Sequence, residues 1–115
     1  MGQPVVHFEV IGRDGPALRS FYGELFGWKA KEVGPPMDYG MVDASEAGIG
    51  GGIGASQEFE GHVTFYVQVP DLQAALEKAE SLGGATRMPP SEVGEGTTIA
   101  QLTDPEGHMI GLVQG

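Results

Sequence analysis

The stretch "VVHFEV", Val5 to Val10, decides the fold because it can be read twice. Its alternation is that of a β-strand, with Val6, Phe8 and Val10 on one face and Val5, His7 and Glu9 on the other. The register returns 57 residues later, where Val63, Phe65 and Val67 repeat Val6, Phe8 and Val10. The same offset pairs Asp14 with Asp71, Ala17 with Ala74, Leu25 with Leu82 and Gly27 with Gly84. It continues through Gly50 and Gly107, Ile53 and Ile110, and Gly54 and Gly111. These ten identities compare with about four expected from ordinary composition. Two copies account for nearly all of the 115 residues, so the chain reads as one domain, 1–115, built from module one (about 1–57) and module two (about 58–115).

Each half opens with a strand, Pro4 to Ile11 and Gly61 to Val69, whose β-branched and aromatic residues keep one parity. Val63, Phe65, Val67 and Val69 are expected to pack, leaving His62, Thr64, Tyr66 and Gln68 on the other face. Aspartate caps a helix in each half. Leu18, Phe21, Tyr22, Leu25 and Phe26 recur at helical spacing after Asp14, as Leu72, Ala75, Leu76 and Ala79 do after Asp71. Gly27 and Gly83-Gly84 stop these helices. Three extended segments follow in each half: about 28–33, 38–44 and 49–55, then 84–88, 96–103 and 108–114. Pro35-Pro36, Pro89-Pro90 and Asp104-Pro105 are read as breakers. The expected fold is α+β: two tandem βαβββ modules forming an eight-stranded, strongly curved mixed sheet around a concave cleft, with the helices outside.

Composition narrows the setting. Sixteen acidic against six basic residues give a formal charge of −10, which repels a phosphate backbone and an anionic membrane surface, so neither nucleic acid nor membrane is an expected partner. No apolar stretch approaches the roughly 20 residues of a membrane span, and a cytoplasmic location is expected. The absence of cysteine removes disulfides, thiolate metal sites and cysteine nucleophiles together. The run "GIGGGIG", Gly48 to Gly54, lacks the Lys-Ser or Lys-Thr of a phosphate loop and precedes no expected helix; glycines in a last strand are better read as letting the sheet bend sharply or a backbone or ligand come close.

The paired modules, the segments "HFEV" and "FYGELFGW" of the first half and "DPEGHMIGLV" at the end resemble the vicinal oxygen chelate superfamily, which includes glyoxalase I, extradiol dioxygenases, and fosfomycin and bleomycin resistance proteins. In its metal-dependent members the resemblance implies four ligands, one from each first strand and one, usually glutamate, from each last strand. His7 matches the first of these, but its counterpart is Thr64, and the last-strand positions fall on Gly54 and Gly111. Divalent ions need three or four nitrogen or oxygen donors, so no metal site and no cofactor are expected. A displaced divalent-metal site on His7, His62 and Glu9 is the weaker alternative. His108 is read as a turn residue.

Metal-free relatives include proteins that hold a drug in a cleft. The leading expectation is therefore a metal-independent small-molecule-binding protein whose cleft takes an aromatic or cationic ligand. Its ligand contacts are drawn from His7, Glu9, Thr64, Tyr66 and Gln101, with Trp28, Tyr39 and Met41 as an apolar or stacking wall. The alternative is a lyase, isomerase or hydrolase related to glyoxalase I, with His7 and Glu9 as catalytic acid and base or with a non-standard metal site. Resemblance to family members of this length also implies a homodimer.

Overall fold

The computed structural model describes residues 2–57, 60–94 and 96–115. Eight strands and three helices follow in the order β1 (Val5–Gly12), α1 (Gly15–Phe26), β2 (Lys31–Glu32), β3 (Tyr39–Val42), α2 (Ala44–Ala47), β4 (Gly50–Ala55), β5 (His62–Val69), α3 (Leu72–Ser81), β6 (Ala85–Glu92), β7 (Thr98–Thr103) and β8 (Met109–Gln114). Parallel and antiparallel neighbours both occur, so the fold is α+β with mixed strand pairing, as the duplicated pattern predicts.

The chain packs as two compact units. One is His7–Val63; the other is Thr64–Gly115 joined by the opening residues through Val6. The boundary read at about 57 adjoins residues 58 and 59, which lie outside the described residues.

In the His7–Val63 unit the strand order is β2-β3-β4-β1, with β1 and β4 parallel and the rest antiparallel. The register sets Glu9 opposite Gly52 and, across β4, Gly52 opposite Met41. Val10, Val42 and Ile53 are buried on the helix side, packed by Phe8, Leu18, Tyr22, Trp28 and Ala30. Helix α1 begins where the Asp14 carboxylate accepts from the Ala17 amide, and it ends at Gly27, whose φ of 78° a side chain would strain. The short α2 begins at Ala44, the last residue of the segment read as extended over 38–44. Asp43 starts it by accepting from the Ser45 amide, and its four residues are too few to show a periodicity.

The second unit has the order β5-β8-β7-β6, again with its first strand parallel to its last. Tyr66 stands opposite Gly111. Val69, Leu72, Leu76, Ala100 and Leu112 form its core, with Val67, Ala75 and Leu102 against them. Asp71 caps α3 through the Ala74 amide. Two expectations are corrected here. Val63 and Phe65 are 76% and 40% exposed, whereas Thr64 and Tyr66 are buried. Helix α3 covers the Val67 and Val69 end of β5 rather than its whole length, and Tyr66 has glycine opposite it, which leaves room for its ring. Pro89-Pro90 does not break β6, which runs through both residues. The strand is at the end of the unit's order, where a missing amide is tolerated, and its register shifts between Met88 and Ser91.

Candidate functional site

Strand β1 presents His7 and Glu9 on the face opposite α1, as its alternation requires. On β3 the same face carries Tyr39 and Met41, because Gly40 and Val42 take the buried helix side. Between them runs β4, whose Gly50, Gly52 and Gly54 put no side chain on that face. The Tyr39 ring crosses this bare strand. A Cβ on Gly52 would stand 1.8 Å from the Tyr39 hydroxyl, and one on Gly54 would meet the Asp38 carbonyl at 2.2 Å. Glycine is required at both positions for the ring to lie there.

The crossing brings four polar groups into one chain. The Tyr39 hydroxyl donates to Glu9 Oε2 at 3.0 Å and lies 2.9 Å from His7 Nε2. The other carboxylate oxygen, Glu9 Oε1, is 2.8 Å from His62 Nε2. A phenol has one proton, and it goes to the carboxylate. The network therefore assigns a proton to Nε2 of both imidazoles, with His7 donating to the phenol oxygen and His62 to Glu9. The His62 and Glu9 side chains are each 13% exposed, so a narrow edge of the chain reaches solvent. Burial holds the His7 imidazole below its ordinary pKa, and the Glu9 charge opposes this less strongly. His7 is thus neutral at pH 7.

The remaining expected contacts divide. Met41 is 43% exposed beside Gly52. Trp28 packs into the core instead, 5.1 Å from the Phe8 ring and 4.9 Å from the Phe26 ring, which gives it a structural role. In the second unit Gln101 donates to the Tyr66 hydroxyl at 3.2 Å and accepts from Arg87, while Thr64 donates to the Met109 carbonyl. Sequence reasoning missed Arg87 because nothing in its spacing marks it. His108 is a turn residue, hydrogen-bonded to Asp104 and exposed. No helix among the described residues is long and apolar enough to cross a membrane.

Residues 5–112 match the glyoxalase/bleomycin resistance protein/dioxygenase superfamily. The chain belongs to this superfamily. Among curated relatives it is 29% identical over 110 residues to "Putative glyoxylase CFP32" of Mycobacterium bovis, and equally to the Mycobacterium tuberculosis protein of the same name. The matched region is 88% of this chain and 41% of those proteins, so the chain spans about two fifths of their length. Solved structures share the fold. A superfamily member from Vibrio splendidus superposes with a TM-score of 0.67 at 18% identity, covering 99% of this chain and all of the other. The Mycobacterium tuberculosis methylmalonyl-CoA epimerase gives 0.66 at 14% identity, covering 96% and 86%. A hypothetical protein from Bacillus halodurans gives 0.72 at 11%, covering 100% and 96%.

The metal site of metal-dependent superfamily members does not fit these residues. A side chain on Gly111 would collide with the Tyr66 ring at 2.4 Å. The pairing register makes Gly52, rather than the expected Gly54, its counterpart, and a side chain there would meet the Tyr39 hydroxyl, as one on Gly54 would meet the Asp38 carbonyl. The Thr64 hydroxyl is turned to a backbone carbonyl. The displaced set His7, His62 and Glu9 is strung along hydrogen bonds with Tyr39 interposed. No three His, Asp or Glu side chains among the described residues are grouped to hold an ion.

Proposed function

We propose that this chain is a small-molecule-binding unit of the superfamily that works without a bound metal and takes an aromatic or cationic ligand against the polar face of the His7–Val63 unit. The observation that carries the reading is the Tyr39 hydroxyl, which bridges His7 and Glu9 across glycine. A protein phenol stands among the donors that a metal would have to gather. Support for the ligand class comes from the half-exposed Met41, a polarisable contact for a ring, and from Glu9 in a chain of formal charge −10, which favours a cation. The reading includes a cytoplasmic homodimer.

Elemental analysis and native mass spectrometry of the untreated protein test it together. The expected outcome is substoichiometric zinc, nickel, manganese and iron, a mass of twice the 12.0 kDa chain, and a retained organic molecule or one acquired from an aromatic amine panel. One tightly held divalent ion per chain would overturn the metal-independent reading.

One observation favours a second reading, a lyase or isomerase related to glyoxalase I. The neutral His7 is a competent base, and Tyr39 connects it to a carboxylate. The name of the CFP32 relatives points the same way. Exchange of a carbon-bound proton next to a carbonyl in deuterium oxide, lost in the variant His7→Gln, would establish it.

A further inference from the structure

On the helix side of the His7–Val63 unit is a hollow of about 320 Å³, lined by Pro16, Arg19, Glu32, Pro35, Met37 and Asp38 among others. It lies at the low end of the size range for small-ligand pockets, and its proline and methionine walls are apolar and mostly stiff. The Arg19 side chain, 9% exposed, forms its charged floor. Glycines make room for it and for its partner: a Cβ on Gly40 would stand 2.6 Å from Arg19 Cδ, and one on Gly15 would stand 2.2 Å from Asp38 Oδ1.

The guanidinium is only partly satisfied. Its Nη1 donates to Asp38 Oδ1 at 2.9 Å and to the Ile53 carbonyl at 3.1 Å. Nη2 has no hydrogen-bond partner among the described residues, and its nearest anion is Glu32 Oε1 at 3.9 Å, beyond hydrogen-bonding reach. Glu32 itself is 74% exposed. A largely buried arginine therefore keeps a solvent-reachable nitrogen beside the proline and methionine walls, while an exposed carboxylate hovers at the distance of a loose ion pair.

We propose that this hollow is a binding site for a small carboxylate with an apolar body, in which the carboxylate takes the Nη2 edge of Arg19 and Glu32 is the internal competitor it displaces. The ligand's body packs on Pro16, Pro35 and Met37. Asp38 stays on Nη1 and holds the guanidinium in place. This site is separate from the Tyr39 chain and does not depend on the function proposed for it.

Nuclear magnetic resonance titration of the ¹⁵N-labelled protein with sodium benzoate tests the site at about 0.15 M salt, where charges more than about 8 Å away are largely screened. Benzoate is expected to shift the amides of Gly34, Met37 and Asp38. The variant Glu32→Gln alters an exposed side chain and is expected to bind about fivefold tighter, the effect of removing one like charge near 4 Å in a water-like dielectric. Arg19→Lys, which loses the forked Nη2, is expected to abolish those shifts. The proposal is overturned if Glu32→Gln binds benzoate no tighter than the natural protein, or if benzylamine shifts the same amides and benzoate does not.

Discussion

At the scale of single residues, the Tyr39 ring and Gly52 are two halves of one arrangement. Adding a methyl group at Gly52 places it 1.8 Å from the Tyr39 hydroxyl, so the ring must leave and the chain from His7 to His62 must break. The variant Gly52→Ala should lose about 1–3 kcal/mol, the usual cost of overpacking. In a Tyr39→Ala background most of that loss should vanish, and a double-mutant cycle by urea unfolding measures the difference. Equal losses in the two backgrounds would show that the phenol is not the obstacle. His7 supplies a pH dependence of defined sign. The unfolded chain takes up its proton at the ordinary imidazole pKa of about 6.5, whereas the folded protein does so only at lower pH. Just below 6.5 the unfolded state holds more protons, so His7's contribution is complete above that value and is lost as pH falls. Stability measured from pH 8 to pH 5 should decline more steeply in the natural protein than in His7→Gln.

At the scale of elements, helices α1 and α3 are the same helix adapted to two surroundings. Leu76 is 2% exposed in α3, and its replacement by alanine should cost about 2–5 kcal/mol. Phe21 of α1 is 57% exposed and aligns in the repeat with Lys78. Phe21→Lys should therefore move stability by only about 0.5 kcal/mol, with one edge contact to Tyr22 lost, and thermal melts of the two variants should separate clearly. These elements were legible in the sequence because the aspartate caps and the 3.6-residue spacing are local signals. The facing of β3 was not legible: in four residues, "YGMV", apolar character occurs at both parities, and only the glycines of β4 say which side can receive a ring. Glycine-rich β4 was read as a place where the sheet bends or a backbone or ligand comes close, whereas at Gly52 the space is taken by the Tyr39 ring of the neighbouring strand. Val63 and Phe65 misled because alternation reveals that a strand has two faces without revealing how far a helix extends over one of them.

At the scale of the molecule, a formal charge of −10 on 115 residues and two separate apolar clusters describe a duplicated protein whose halves carry their own cores. The duplication has not drifted evenly. Glu9 faces Gly52, while Tyr66, which is 57 positions further on, faces Gly111, and 111 minus 52 is 59. Between the halves, the last strand has slid by two residues against the first. Two is the smallest slip that leaves inward side chains inward; a slip of one would have turned the whole strand over. Anyone pairing the halves by a constant offset will therefore match the right faces but the wrong neighbours. A designer who wishes to graft an acidic ligand opposite Glu9 must place it at residue 52, not at 54, and must first clear away the tyrosine.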